Sequence, residues 1–347
     1  MGVAGNKEPC RGGMRMRTLV LGGTGYLGRQ VVEVLLEAGH EVTVVHRGQK
    51  EVADGPEIRH VHGDRSQIGD LASGLKIDGL VDVAPMNDED SRVVVDAFRG
   101  RIERSVHVSS VDVYEAWGAF QEDRASRPVP FDEEAPLRKN LYLYRGKNPR
   151  LENYDKILME RTVLGAGPGF PACVVRFPVV YGPWDRQRRE WGLLRRILGS
   201  RPVLMGGGAS WLVQRVFVRD AARAIALVLG CAEAVGHVFN VGEPSTMTMR
   251  QWAEAIGCAA GREVSFRVIP DSLLPAHLAM YRSHEQHIIT DTGKIRRIAG
   301  YCEERSAEEN LRTSVAWHMA NPPAEDLGDY AKQLQAEDAA LAALPGN

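Results

Sequence analysis

Three glycines spaced three residues apart, Gly22, Gly25 and Gly28, are the first residues of this sequence whose type and spacing suggest chemistry. Gly22 can adopt a backbone conformation that is closed to other residues, and Gly25 lets the main chain approach a pyrophosphate. Gly28 allows the following helix to pack closely on the preceding strand. The amino end of that helix offers N–H groups and a partial positive charge to phosphate oxygens. The spacing therefore predicts a dinucleotide-binding loop.

The elements around this loop are the ones that such a site requires. Residues 18–21 form an apolar run before the glycines, helical spacing of valines and leucines follows them, and a second apolar strand covers residues 41–45. Strand, tight turn, helix and second strand are the context in which the glycine spacing becomes specific. Thr24, Tyr26 and Leu27 complete the predicted loop. The alternative is a glycine-rich turn without a ligand.

Alternating strand and helix patterns continue along the first half of the chain. Strands are predicted near 59–63, 79–84, 105–109 and 172–176, with helices at 68–75, 89–99 and 152–165. This alternation predicts an α/β fold with a parallel, doubly wound sheet. We expect a flexible leader at 1–16, a dinucleotide-binding domain at 17–181, a substrate-binding region at 182–323 interwoven with the main sheet, and a peripheral helix at 324–347. Residues 115–150 form a long irregular excursion, which is typical of a segment over an active site.

The amino-acid composition favours some classes of protein over others. Of the 347 residues, 44% are hydrophobic and 25% charged, which is typical of a globular enzyme, and the net charge of −2 gives no reason to expect nucleic acid or a membrane as partner. The five cysteines are scattered, which fits a reducing, cytoplasmic setting and lacks the spacing of a zinc site. We therefore predict no metal, and we interpret His284 and His287 as structural. No apolar run reaches the length of a membrane span.

Several motifs occur in the order found in one known family. They are Gly22-x-x-Gly25-x-x-Gly28, Ser109-Ser110-x-x-Val113-Tyr114, Lys156-x-x-x-Glu160, Arg176-x-x-x-Val180-Tyr181-Gly182-Pro183 and Val218-x-Asp220. Over roughly residues 17 to 320 the chain resembles the extended short-chain dehydrogenase/reductase family, nearest to its NAD-dependent epimerase/dehydratase branch. The resemblance implies a Rossmann-type domain with a smaller, mixed α/β C-terminal substrate domain. By analogy with relatives that pair through helices beside the Ser and Lys segments, it also implies a homodimer.

The family's catalytic serine, tyrosine and lysine are only partly present. The resemblance assigns Ser110 to carbonyl positioning and Lys156 to the ribose, but the tyrosine position, four residues before the lysine, is Glu152. Tyr154 lies two residues before Lys156, and on a helix it would point about 160° away from the required side. Three alternatives stay open: a distorted helix that lets Tyr154 act, a protonated Glu152, or no protein phenol at all. We favour the last, with a substrate hydroxyl supplying the proton, because no sequence signal indicates a distortion.

The residues that follow the second strand determine whether NAD or NADP binds, because an acidic residue there would select NAD. This chain has Arg47 there, and a guanidinium suits a 2′-phosphate, so we predict NADPH rather than NADH. The alternative is that Arg47 is a solvated surface charge. The resemblance implies the remaining cofactor contacts. Asp64 would bind the adenine amino group, with Arg65 beside it. The nicotinamide ribose would lie near Val83, Ala84 and Pro85, and the carboxamide against Phe177, Pro178 and Val179.

The predicted substrate pocket is aromatic. It draws on Met86, Asp112, Tyr114, Tyr181, Trp184 and Trp191, and further on Trp117 and Trp211. Tryptophans in loops offer broad apolar faces to a flat ligand, although many such residues are ordinary core or surface aromatics. The leading hypothesis is an NADPH-dependent ketoreductase acting on an aromatic secondary metabolite. The alternatives are a nucleotide-sugar epimerase, dehydratase or reductase, and a non-catalytic dinucleotide sensor.

Overall fold

The computed structural model describes residues 15–48, 58–323 and 327–344. Most of the predicted leader, residues 1–14, lies outside this range. Met16 does not belong to a leader, because its side chain is 2% exposed and packs into the core beside α-helical residues such as Leu229. The ordered chain therefore begins at least one residue before the boundary predicted from the sequence.

Eleven strands form one large and two small sheets within the described residues. The strands are β1 Arg17–Leu21, β2 Glu41–His46, β3 Ile58–His62, β4 Gly79–Asp82, β5 Arg104–Ser110, β6 Ala172–Phe177, β7 Val179–Tyr181, β8 Val203–Met205, β9 Arg215–Phe217, β10 Val238–Asn240 and β11 Phe266–Val268. The large sheet has seven strands in the order β10-β6-β5-β4-β1-β2-β3, and every pairing is parallel. The predicted α/β fold with a doubly wound parallel sheet is confirmed.

Eleven α-helices surround these sheets in the described part of the chain. They are α1 Tyr26–Glu37, α2 Ile68–Leu71, α3 Asp88–Phe98, α4 Glu115–Gln121, α5 Lys156–Leu164, α6 Trp191–Leu198, α7 Val218–Gly230, α8 Met249–Ala259, α9 Gly293–Ala299, α10 Ala307–Ala320 and α11 Leu327–Ala342. Side chains alternate across the large sheet: Val20 packs with α1 and α7, whereas Leu19 and Leu21 pack on the other face with α3 and α5. Burial on both faces explains why these strands are almost entirely apolar.

The chain order of the strands fixes where a ligand should bind. From β1 the chain moves outward to β2 and β3, then returns to β4 on the opposite side of β1. At such a switch point the connections diverge above the carboxyl ends of the strands, and a crevice forms there. The glycine-rich turn after β1 and the residues after β4 and β5 all open into this crevice.

The C-terminal helix α11 was predicted to be peripheral, and this is wrong for its middle. Glu337 is 1% exposed and forms an ion pair with Arg196 on α6, which is also buried. His277 contacts the same carboxylate at 2.9 Å. The buried ion pair between Glu337 and Arg196 therefore holds α11 against α6, in the substrate-binding half of the molecule.

Candidate active site

The glycine-rich turn has the geometry that a pyrophosphate needs. Gly22 has φ +81°, and Gly25 N–H donates to Gly22 O at 3.0 Å. A Cβ at residue 28 would lie 2.1 Å from Gly22 O, so only glycine fits there. Gly25 precedes α1 without a side-chain cap from any described residue, and the first amide groups of α1 remain available to an anion. The loop therefore fits the pyrophosphate of a dinucleotide.

The segment after β4, residues 83–85, lies against this turn, and its predicted place near the nicotinamide ribose stays a prediction. A Cβ on Gly22 would sit 3.3 Å from the Ala84 Cβ, so loop and strand end are in contact. Lys156 joins this strand end to β5, since its Nζ donates to Pro85 O at 2.6 Å and to Val108 O at 2.9 Å. Burial lowers the pKa of Lys156 to about 8. Two of the three ammonium protons are thus engaged, which leaves one for a ribose hydroxyl.

Arg65 does not flank the adenine site as predicted. Its guanidinium turns toward β4 and donates to Asp82 Oδ2 at 2.5 Å and Oδ1 at 2.7 Å, and also to Ala84 O at 3.2 Å. Asp82 is fully buried, and an unpaired carboxylate there would be strongly unfavourable. Asp64, by contrast, is exposed at the strand end; its carboxylate accepts from Ser66 N–H, which lowers its pKa.

The end of β2 carries no carboxylate among its described residues 46–48. His46 is buried with its Nε2 2.9 Å from His60 Nδ1, so it belongs to the packing of β2 on β3. Arg47 is exposed and close enough to Asp64 to lower that carboxyl's pKa. The placement of Arg47 is compatible with a 2′-phosphate, and the role itself stays a prediction.

The structure overturns the sequence argument about Tyr154. Helix α5 begins at Lys156 rather than at residue 152, because Asp155 caps it by accepting from Ile157 N–H at 2.9 Å and Leu158 N–H at 3.2 Å. Tyr154 therefore precedes the helix, and helical geometry does not turn it away. Its side chain lines the same cavity as Ser110, with the ring centroid 5.7 Å from Lys156 Nζ. A phenol, a serine hydroxyl and a lysine thus meet at one site.

Asp112 holds the Tyr154 phenol in place. The Tyr154 hydroxyl donates to Asp112 Oδ2 at 2.8 Å, and the Tyr144 hydroxyl approaches the same oxygen at 3.4 Å. Burial raises the pKa of Asp112, and burial together with the Asp112 charge raises that of Tyr154 well above its ordinary value. The raised pKa of Tyr154 favours the protonated phenol, which is the form that can donate a proton.

Glu152 is not the buried acid that one alternative required. Its side chain is exposed, and its carboxylate accepts from the Gly146 N–H at 2.8 Å. Glu152 therefore shapes the turn before α5 and does not supply a proton to the site.

A cavity of about 860 Å³ opens from Ser110 and Tyr154. Aromatic and apolar side chains line it together with several arginines. The lining includes Met86, Asp112, Trp117, Phe120, Tyr144, Leu151, Pro178, Val179, Trp211, Arg215, Met249, Trp252 and Tyr281. A cavity of this size and character accommodates a flat, polycyclic small molecule.

The predicted substrate residues are only partly assembled at this cavity. Met86 and Asp112 line it. Tyr114 is fully buried, with its hydroxyl 2.6 Å from Asn240 Oδ1, and Tyr181 is buried with its hydroxyl on Glu243 Oε1 at 2.7 Å. Their placement as pocket residues is wrong, because both phenols satisfy their hydrogen bonds inside the core.

Of the four predicted tryptophans, Trp117 and Trp211 line the cavity, whereas Trp184 and Trp191 lie elsewhere. Trp191 packs beside the hydrophobic core of the second half. Trp184 lines a separate cavity of about 300 Å³ beside the glycine-rich turn, where the Arg29 guanidinium lies 4.9 Å from its ring centroid. The basic character of residues 184–189 therefore borders the cofactor loop as well as the main cavity.

Sequence reasoning missed the far wall of the cavity. Tyr144 and Leu151 lie in the irregular excursion, Trp252 is on α8, and Arg215 is on β9. They come together only through tertiary contacts between segments about a hundred residues apart. Phe120 had a local signal, since it follows Trp117 by three residues on α4 and faces the same way.

His284 and His287, predicted to be structural, make structural contacts. The His284 ring stacks on Phe120 with centroids 3.9 Å apart, and His287 Nδ1 accepts from Leu212 N–H at 3.2 Å. Across the part of the chain that the structure describes, no group of three or more His, Cys, Asp or Glu side chains could hold a metal. No helix in this part is long and apolar enough to cross a membrane.

Comparison with known families agrees with this geometry. Residues 87–242 match the NAD dependent epimerase/dehydratase family, and residues 22–132 match a family described as NAD(P)H-binding. The matches support the extended short-chain dehydrogenase/reductase family. Together with the relatives below, they indicate an NAD(P)-dependent oxidoreductase or dehydratase.

Several characterised proteins are similar along most of their length. The 2′-dehydrokanamycin reductase of Streptomyces kanamyceticus is 26% identical over 95% of this chain and 93% of its own. The 3-diazoavenalumate denitrifying reductase of a Streptomyces species is 24% identical over 90% and 98%. The chloroplast stem-loop binding protein of 41 kDa b from Arabidopsis thaliana is 22% identical over 86% and 78%.

Solved structures show the same fold at low identity. The dTDP-glucose 4,6-dehydratase of Bacillus anthracis, in complex with NAD, aligns with a TM-score of 0.68 at 19% identity, covering 88% of this chain and 97% of its own. DesIV, a dTDP-glucose 4,6-dehydratase of Streptomyces venezuelae with NAD and TYD bound, gives 0.68 at 22% identity, covering 88% and 98%. At these identities the likeness shows a shared α/β fold, and the substrate is not transferred.

Proposed function

We propose that this protein is an NADPH-dependent ketoreductase that reduces a ketone of an aromatic polyketide or related secondary metabolite. The observation that carries the proposal is the meeting of Ser110 and Tyr154 at one wall of a large aromatic cavity, with Lys156 Nζ 5.7 Å from the centroid of the Tyr154 ring. A ketone held against that wall would face a hydroxyl donor on one side and the cofactor crevice on the other. Bound NADPH supplies the hydride in such a reaction.

Each residue has a role that follows from its contacts. Ser110 orients the carbonyl oxygen, Tyr154 donates the proton to the developing alkoxide, and Lys156 holds the ribose with its remaining N–H. The high pKa of Tyr154 suits reduction, because the phenol stays protonated until an alkoxide forms. A hydroxyl of the substrate, hydrogen-bonded to its own ketone, is the other source of this proton.

The substrate class rests on the shape of the cavity and on the relatives. Aromatic rings from α4, α8 and the excursion surround about 860 Å³, room for several fused rings. Two Streptomyces relatives are named reductases. Chain length and the missing tyrosine at residue 152 also resemble the angucyclinone ketoreductase of simocyclinone biosynthesis, which acts on an aromatic polyketide.

The direct test measures NADPH consumption by the purified protein with a panel of hydroxylated aryl ketones and, in parallel, UDP- and dTDP-sugars. We expect oxidation of NADPH with the aryl ketones and none with the sugar nucleotides. Tight NADPH binding with no turnover of either group would favour a dinucleotide sensor and contradict the proposal.

A nucleotide-sugar epimerase, dehydratase or reductase is the second candidate, and one observation favours it. Arginines line the far end of the cavity, where a diphosphate would be attracted. Most of them are engaged: Arg189 pairs with Asp185 at 2.9 Å, Arg195 donates to Gln333 and Arg196 pairs with Glu337. Turnover of a dTDP- or UDP-sugar with retained NAD would establish this function instead.

Replacement of Arg47 tests the cofactor preference. In Arg47→Gln the charge beside the proposed 2′-phosphate is lost, and the KM for NADPH should rise about 10- to 100-fold while that for NADH stays unchanged. Steady-state kinetics with both cofactors measure this. Arg59→Gln on the neighbouring strand, also exposed, is the matched control and should change neither. Equal effects on both cofactors, or none, would contradict the prediction.

The pH profile tests the role of Lys156. Because burial lowers its pKa to about 8, the ammonium loses a proton as pH rises through that value. The two protons left are those bonded to Pro85 O and Val108 O, so the ribose loses its donor. We expect kcat/KM for NADPH to fall above pH about 8. A profile that stays level to about pH 10, the ordinary range of lysine, would contradict this role.

A homodimer and a cytoplasmic location remain proposals by analogy with relatives and from the scattered cysteines. Cys173 and Cys231 are buried, whereas Cys258 and Cys302 are exposed thiols. Exposed free thiols fit a reducing compartment. Analytical ultracentrifugation with and without NADPH would measure the oligomeric state, and a monomer under both conditions would contradict the dimer.

A further inference from the structure

Arg215 is a buried cation in the wall of the main cavity. It lies on β9 and is 7% exposed, and its guanidinium covers the ring of Trp252 with the charge 4.2 Å from the centroid. One terminal nitrogen donates to Val213 O at 3.0 Å and the other contacts Met249 Sδ at 2.9 Å. A thioether sulfur is a weak acceptor. The hydrogen-bonding capacity of this guanidinium is therefore only partly used.

No described carboxylate forms an ion pair with Arg215. The two carboxylates that act most strongly on the charge of Arg215 are those of Glu190 and Glu243, and each has another hydrogen-bond partner. Glu190 Oε2 lies 3.0 Å from His318 Nε2, and Glu243 Oε1 accepts from the Tyr181 hydroxyl. Burial lowers the pKa of Arg215 to about 10 and raises that of Glu243 to about 7. A buried charge without a partner is unfavourable. A ligand that brings the missing negative charge would remove that penalty.

The other cavity arginines do not share this property. Arg189 and Arg196 pair with carboxylates, and Arg188 donates to Asn321 O at 2.7 Å while stacking on Trp317. Arg215 thus differs in combining burial, a place in the cavity wall and the lack of an acidic partner among the described residues. The same cavity reaches Ser110 and Tyr154, so one ligand can contact both ends.

We propose that Arg215 forms an oxyanion subsite, and that the natural substrate carries a carboxylate or phosphate group which this guanidinium binds. The inference rests on the proposed function, because it assigns that group to the same cavity in which the ketone binds. A guanidinium recognises either oxyanion through paired N–H donors, and the Trp252 ring fixes the plane in which it does so. The scaffold of the substrate, aryl or nucleotide, is what the experiment separates.

The test compares two quinones that differ in charge, together with an anionic nucleotide. Quenching of protein fluorescence, in the presence of saturating NADP⁺, gives dissociation constants for anthraquinone-2-carboxylate, for neutral 2-methylanthraquinone and for dTDP. We expect the carboxylate or dTDP to bind about 10- to 100-fold more tightly than the neutral quinone. Preference for the carboxylate identifies an acidic aryl substrate, and preference for dTDP a nucleotide. Equal binding of all three to the wild-type protein would overturn the subsite.

Two variants locate the effect. In Arg215→Gln the preference for the anion should disappear, whereas Arg188→Gln, in the same cavity but engaged with Asn321 O, should keep it. Loss of the preference in Arg188→Gln with retention in Arg215→Gln would overturn the assignment. If Arg215→Gln fails to fold, Arg215→Lys keeps the positive charge and should retain part of the preference for the anionic ligands. The comparison of the ligands on the wild-type protein then still decides whether the subsite exists. If the protein reduces neutral aryl ketones with NADPH but binds anionic ligands no more tightly, the proposed function stands and only the oxyanion subsite is contradicted.

Discussion

Tyr154→Phe should lower kcat for ketone reduction by about 100- to 1,000-fold, since a positioned general acid contributes that order of rate. The phenol is the donor that lines the cavity beside Ser110, and its bond to Asp112 at 2.8 Å fixes the ring. Phenylalanine keeps the ring and removes the proton. KM for NADPH should stay within about threefold, because the phenol is assigned to the substrate and the cofactor retains Lys156.

Tyr144→Phe is the matched control for this variant. Tyr144 lines the same cavity, approaches the same Asp112 oxygen at 3.4 Å, and its ring lies 5.5 Å from that of Tyr154. Its removal should change kcat by less than about fivefold. If Tyr154→Phe keeps full kcat, the proton comes from the substrate itself, as the sequence alone had favoured. Single-turnover kinetics would show which step has changed.

Glu160→Ala should lower the free energy of unfolding by about 3–5 kcal/mol, the usual cost of leaving a buried charge without its partner. Glu160 is 4% exposed and binds Arg176 through two bonds, at 2.9 Å from Nε and 2.6 Å from Nη2. It also accepts from the Ser109 hydroxyl at 2.5 Å. The pair connects α5 with β5 and β6, so its loss also loosens the helix that carries Lys156.

Denaturant unfolding of wild type and variant measures this difference. The control is Asp88→Ala, which removes an ion pair with Arg92 on the surface of α3, where one partner side chain is 59% exposed. That change should cost less than about 1 kcal/mol. A Glu160→Ala protein as stable as Asp88→Ala would show that the buried pair contributes nothing, and would refute the account of this network.

The fold and the cofactor half of the site could be predicted because their signals are local. The glycine spacing, the strand before it and the helix after it are contiguous, and alternating apolar strands indicate a parallel sheet without long-range information. Arg65 shows the limit of this reasoning. Its guanidinium pairs with Asp82, seventeen residues away, and no local pattern indicates that contact.

The error at Tyr154 came from a helix boundary. The sequence analysis extended α5 back to residue 152, whereas Asp155 ends the preceding turn and caps the helix. Aspartate just before a helical pattern is a recognised N-cap signal, so this boundary could have been predicted. The expected and observed starts of α5 differ by four residues, and this difference decides whether a phenol reaches the active site.

The substrate half of the site depended on contacts that no local pattern shows. Tyr114 and Tyr181 looked like pocket aromatics, yet their hydroxyls bond Asn240 and Glu243, 126 and 62 residues away, inside the core. Arg215 and Trp252 reach the cavity from β9 and α8. The aromatic character of the pocket could therefore be predicted from the sequence. Which aromatic residues form it depends on tertiary packing and could not.

Transfer of hydride from the nicotinamide to a ketone carbon is the central claim, and isotope labelling tests it directly. NADPH carrying deuterium at both C4 positions is incubated with the protein and a hydroxylated aryl ketone, and the alcohol is analysed by mass spectrometry. We predict one deuterium at the carbinol carbon, with the hydroxyl proton from Tyr154 exchanging with water. An alcohol without deuterium, or tightly bound NADPH with no alcohol formed from any aryl ketone, would contradict the ketoreductase.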